Sequence, residues 1–201
     1  MLVRILCTIF LGTFSLTQVF SQANYKSGYL VTAQGDSLRG ELNDQEWERT
    51  PRKINFRQAG VVKTYEVGEI SRFCVDGGDH YVKMTVSRST RPVEMNRLLD
   101  DFQDTTITEP VLLRVVADGA WKLYALYMEK PIFYVQAGEA APEELVYILR
   151  QQPNSLNFTT FNTFRDQLKA LQLREGGTAD VSKTLERLRY REPDLALYFR
   201  S

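Results

Sequence analysis

From Gly28 to about Leu149, apolar and polar residues alternate with period two between turn residues, which predicts successive antiparallel strands. Tyr29-Leu30-Val31-Thr32, the turn Gln34-Gly35-Asp36-Ser37, and Leu38, Gly40 and Leu42 alternating with Arg39, Glu41 and Asn43 make a first hairpin. Residues 47–51 form a connection, because Pro51 lacks a backbone donor and disfavours helix at Thr50. Ile54 and Phe56, a turn at Gln58-Ala59-Gly60, and a return through Val61, Lys63 and Tyr65 make a second hairpin. In the third, Phe73-Cys74-Val75 meets Asp76-Gly77-Gly78-Asp79 and returns through His80, Val82, Met84 and Val86. Its two glycines predict a primed turn with positive φ at both.

The pattern lapses after Arg91, where residues 96–102 read as a short helix or an irregular crossing. Residues 111–117 and 120–127 flank Asp118-Gly119, a further turn dipeptide, and Pro131 introduces a strand over residues 132–135. Residues 143–149 fit a helix start after Pro142 or one face of a strand, and their place after a run of hairpins favours strand. Beyond Pro153 the spacing becomes helical. Phe161, Phe164, Leu168 and Leu171 precede Gly176-Gly177, and a second helix from about Ala179 to Tyr190 carries Val181, Leu185 and Leu188. Pro193 ends that helix or begins a last turn holding Leu195, Tyr198 and Phe199.

The expected fold is mainly β with a C-terminal helical pair, an α+β arrangement: an antiparallel sheet or open barrel of successive hairpins with two or three short helices packed on it. The chain divides into a signal peptide over residues 1–23, an antiparallel β domain over 24–152 and a helical appendage over 153–201.

The first segment rests on Arg4, an apolar run from Ile5 to Leu16, and small residues at Ser21 and Ala23, the marks of a secretion signal. The cut is expected between Ala23 and Asn24, with cleavage after Gln22 as the alternative. An uncleaved anchor fits less well, since Thr8, Gly12, Thr13 and Ser15 interrupt a run shorter than the roughly 20 residues a spanning helix needs. Cleavage removes Arg4 alone among the charges, leaving 24 Lys plus Arg against 25 Asp plus Glu. Near-neutrality without a basic cluster argues against nucleic acid as partner and against a polybasic membrane patch. Cys74 would be the remaining thiol, so no internal disulfide holds the exported chain together.

Several of these stretches carry a resemblance: Gly28 to Thr32 with Gly35-Asp36-Ser37-Leu38-Arg39-Gly40, Ile54-Asn55-Phe56, Tyr65 to Ile70 leading to Phe73, and Ile132-Phe133-Tyr134-Val135 with Glu144-Leu145-Val146-Tyr147. They resemble a family of uncharacterised secreted or envelope proteins of the Bacteroidetes. The resemblance implies export and a β-rich fold, and offers no activity, catalytic residue or ligand.

Candidate chemistry is sparse. The single histidine, His80, and Cys74 flank a turn and would make a nucleophile pair if they met across the hairpin; a buried cysteine beside a strand histidine is the plainer reading. Asp76, Asp79, Asp100, Asp101 and Asp104 offer oxygens to calcium without matching a known loop, and Asp beside Gly is also what turns use. Trp121, Tyr124 and Tyr127 form the candidate binding surface, with Tyr124 on the opposite strand face, so that a ring left exposed would stack on a sugar or a partner; core packing is the plainer reading of these rings. No phosphate-binding glycine loop, nucleophile elbow or zinc-protease helix appears, and no cofactor or metal is implied.

The expectation is therefore a secreted or periplasmic, non-catalytic interaction module of the cell envelope, with another envelope protein or a surface glycan as partner. The alternatives are a carboxylate-dependent enzyme acting on a surface polymer and a structural accessory to an outer-membrane assembly.

Overall fold

The computed structural model describes residues 24–45, 47–90, 105–152, 155, 157–174, 176 and 182–200. Ten strands form one antiparallel sheet: β1 (Tyr25–Thr32), β2 (Ser37–Asn43), β3 (Lys53–Gln58), β4 (Val61–Glu66), β5 (Ile70–Val75), β6 (His80–Ser89), β7 (Thr106–Asp118), β8 (Trp121–Tyr127), β9 (Pro131–Ala137) and β10 (Glu143–Glu144). Their order is β10-β9-β8-β7-β6-β5-β1-β2-β3-β4. Two meanders, β1 to β4 and β5 to β10, are thus joined where β1 pairs with β5. A single 3-10 turn, Val67–Glu69, leads into β5.

The registers trace one row across seven strands: Leu38, Leu30, Phe73, Tyr81, Arg114, Ala125 and Phe133 stand directly opposite one another in turn. Because side chains alternate, this row defines one face of the sheet. Two cores lie on that face. Leu30, Leu42, Ile54, Phe56, Phe73 and Tyr81 belong to the first, and Leu123, Ala125, Phe133 and Val135 belong to the second. Arg114 is the charged member of the row and stands between them.

A third core occupies the opposite face, with Val86, Leu113, Tyr124, Leu126, Ile132 and Tyr134. It is enclosed because the sheet curls. In a flat sheet β10 and β6 would lie about 19 Å apart at 4.8 Å per strand, yet Glu144 accepts a hydrogen bond from the Ser89 amide at 3.0 Å. The sheet remains an open curl rather than a closed barrel.

Gly28 and Gly40 face each other across β1 and β2 on the first-core side. A Cβ on Gly28 would stand 2.3 Å from the Cys74 carbonyl oxygen, and one on Gly40 would stand 2.4 Å from that of Arg57 and 2.7 Å from the Phe56 ring. Their missing side chains let neighbouring backbone and the Phe56 ring close in.

After β10 a small two-stranded sheet, β11 (Ile148–Gln151) with β12 (Phe158–Phe161), precedes three helices. α1 (Thr163–Arg174) buries Phe164, Leu168 and Leu171, an i, i+4, i+7 stripe worth about 1.5–3 kcal/mol for each side chain removed from water. Gly176, at φ 82°, follows its last turn. α2 (Ser182–Arg187) adds Leu185, and α3 (Glu192–Arg200) adds Leu195, so the helices and β7 to β9 share one core. Pro193 lies in the first turn of α3, where its missing N–H costs nothing.

The expected hairpins form, and the ambiguous residues 143–149 divide into two short strands with a loop between them. The Gly77-Gly78 turn differs from expectation. Gly77 alone has positive φ, 71°, and the Gly78 amide bonds the Val75 carbonyl at 2.9 Å, closing a turn around Asp76 and Gly77. Gly78 is instead confined by the Val75 side chain, which a Cβ would approach to 3.2 Å. Residues 96–102 lie outside the described residues, and no helix among the described residues is long and apolar enough to cross a membrane.

Candidate functional site

A concavity arises where β7 and β8 part company. β8 pairs with β7 only from Arg114 to Asp118, so among the described residues the stretch 106–113 has a ladder partner on one side, β6. Pro110, which lacks an amide, stands in this half-paired stretch. At the end of β8, the β2–β3 connection replaces β7 as neighbour. The Thr50 amide bonds the Tyr127 carbonyl at 2.8 Å, and the Tyr127 amide bonds Thr50 Oγ1 at 2.9 Å. Trp47 anchors the connection, its ring edge-on to Phe73 and Tyr81.

Between them lies a cleft of about 420 Å³, within the size range of small-ligand and peptide-side-chain sites. Pro51, Val67, Val111, Leu126 and Met128 supply apolar walls, and Arg49, Arg52, Glu109 and Glu129 supply charge. Glu109 accepts from Arg88 at 2.7 Å, and Glu129 is 3.8 Å from Arg49. Both carboxylates are therefore engaged by arginines. Arg52 is exposed and has no ion-pair partner among the described residues.

Arg114 organises a second polar group beside the cleft. Its guanidinium donates to Asp79 at 3.3 Å, to the Tyr127 hydroxyl at 2.7 Å and to Glu192 of α3, and it lies 4.8 Å from the Tyr127 ring centre. Burial alone would lower its pKa, but Glu192 and Asp79 hold it above the ordinary arginine value. With these partners in place, the guanidinium acts as a tie between β7, the β5–β6 turn and α3. At the other end of that helix, Arg200 donates to the Val116 carbonyl at 3.2 Å.

Cys74 and His80 do stand directly opposite each other, on one face. Their electrostatics run against a nucleophile pair. Burial, then Asp76, raises the Cys74 thiol, and burial, then Arg72, lowers His80, whereas a thiolate–imidazolium pair needs both shifts reversed. The thiol faces the Val75 carbonyl at 3.4 Å, and His80 Nε2 is buried without a hydrogen-bond partner among the described residues.

The acidic residues do not converge. Asp76 bonds Arg39 at 3.0 Å and Asp79 bonds Arg114, while Asp100, Asp101 and Asp104 lie outside the described residues. No group of three or more metal-ligating side chains occurs among the described residues.

The three candidate aromatic residues are set apart by the strand faces and by α3, and Tyr127 lines the cleft. Tyr124 is 3% exposed inside the third core, its hydroxyl donating to Gln136 at 2.7 Å. Trp121 is half-buried edge-on to Phe199, and Tyr127 is half-buried beneath Arg114. Of the expected cleavage pair, Ala23 lies outside the described residues, and the Asn24 carbonyl accepts from the Asp44 amide at 2.8 Å.

The sequence pattern places Arg49 and Pro51 in a connection and assigns no role to Arg52 or Pro110. A proline inside a strand run was the available signal, since it marks a flank without a ladder partner. The fold and cleft define a β-rich α+β protein with an edge-lined groove. No family model, curated protein or solved structure matches the chain, so the resemblance to envelope proteins gains no support from relatives.

Proposed function

We propose that this chain is an exported, non-catalytic interaction module of the cell envelope, and that its cleft receives an extended segment of another envelope protein. The observation that carries the reading is the half-paired stretch 106–113 of β7 beside the apolar walls of the cleft. A strand flank with free hydrogen-bonding groups binds an extended chain by its backbone, and neighbouring pockets select side chains. Arg52, the cation there without a partner among the described residues, favours a carboxylate on the incoming segment. Export is supported by the Arg4 and Ile5 to Leu16 pattern, and cleavage after Ala23 would leave Asn24 and its bond to Asp44 in place.

An array of extended peptides carrying one Asp or Glu among β-branched residues, titrated into the fluorescently labelled protein, tests the binding reading. Saturable binding that Arg52→Glu weakens at least tenfold is the expected result. Binding indifferent to Arg52→Glu, binding of envelope oligosaccharides in place of peptides, or turnover of such a glycan would overturn it. N-terminal sequencing of exported protein should begin at Asn24; a full-length chain retained in the cytoplasm would remove the export reading.

A further inference from the structure

The two edges of the ten-stranded sheet are unlike. β10 is two residues long, and Gln167 of α1 donates to both the Glu144 carbonyl and the Glu143 carboxylate, so that edge is short and covered. β4 is six residues long, pairs with β3 alone among the described residues, and leaves every residue but Tyr65 exposed, including Val61 at 70% and Val62 at 50%. An edge of this kind presents a row of amides and carbonyls to another strand.

We propose that β4 is a self-association edge, on which two copies of this chain pair β4 with β4, antiparallel, about a two-fold axis through Thr64. An axis normal to the sheet carries each face onto itself, and directly opposed residues share a face, so the register must be centred on a residue. Centring on Lys63 would set two lysines against each other. Centring on Thr64 pairs Thr64 with its own copy, Lys63 with Tyr65 of the second copy, and Val62 with Glu66 of the second copy. It uses the strand from Val62 to Glu66 with no like charges opposed.

An edge lysine ordinarily discourages such pairing. Here Lys63 Nζ lies 4.1 Å from the centre of its own Tyr65 ring, held on the sheet face rather than beyond the edge. The covered β10 edge prevents further addition, so the contact closes as a dimer instead of growing into a fibre. Nothing in this inference depends on the cleft.

Sedimentation equilibrium of the purified full chain, over a range of concentrations, should show a reversible monomer–dimer equilibrium. Thr64→Lys places two lysines on the axis and should weaken the dimer at least tenfold while the circular dichroism spectrum is unchanged. In a background lacking Cys7 and Cys74, oxidised Thr64→Cys should form a covalent dimer, because opposed Cβ atoms lie about 4.5–5.5 Å apart. Val62→Cys should remain unlinked, its two copies standing about 13 Å apart along the strand. A chain monomeric at every concentration, a dimer indifferent to Thr64→Lys, or equal linking through Val62→Cys would overturn the proposal.

Discussion

The hydroxyl of Tyr190 accepts a hydrogen bond from the Phe133 amide at 3.1 Å, so a side chain from the α2–α3 connection completes the edge of β9 where β10 has already ended. The ring is stacked on Tyr147 and packed edge-on to Phe133 and Phe164. Tyr190→Phe keeps the packing and leaves a buried amide without its acceptor. Urea unfolding should show a loss of about 1–3 kcal/mol with an unchanged m-value.

Arg114→Ala removes the tie between β7 and α3 and leaves Asp79 and Glu192 without their shared cation. The group is partly exposed, 22% at the Arg114 side chain, so the loss should be about 1–2 kcal/mol, below that of a fully buried pair. Hydrogen exchange should quicken at Leu195 and Ala196 before it does in β1 to β5.

The β3–β4 turn places Ala59 at φ 48° and Gly60 at φ 80°, a two-residue arrangement in which the first position favours Asn. Ala59→Asn should stabilise the protein by about 0.5–1 kcal/mol, raising Tm by about 1–4 °C. Ala59→Val should lower Tm, since a β-branched side chain is strained there.

Burial, and then Arg72, lowers the pKa of His80 below its ordinary 6.5. The unfolded chain then binds the proton more readily, so His80 contributes stability that is present above pH 6.5 and is lost as pH falls through the folded pKa. Between pH 7.5 and 5.5 the native protein should lose more stability than His80→Gln. As the chain has one histidine, a single imidazole resonance titrating below 6.5 would check the direction; titration above 6.5 would contradict it.

The hairpins were legible because their signals are local: alternation in Leu38 to Leu42 or Ile132 to Val135, and glycine or proline at the reversals. The pairing of β1 with β5 was not, since nothing near Leu30 specifies Phe73 as its neighbour. The same holds for Trp121, whose cover comes from Phe199 of α3, far along the chain. The cleft was the least legible feature, because Thr50 meets Tyr127 only after five intervening strands have been laid side by side.

The row from Leu38 to Phe133 has a mechanical consequence. Tyr81 and Leu112 face the first core, while Val86 and Leu113, on the same two strands, face the third. Strands β6 and β7 therefore serve as a common wall, with a different interior on each side. A wall of that kind cannot be removed with one room and left standing for the other, so no proteolytic cut or truncation should release half of this sheet as an independently folding piece.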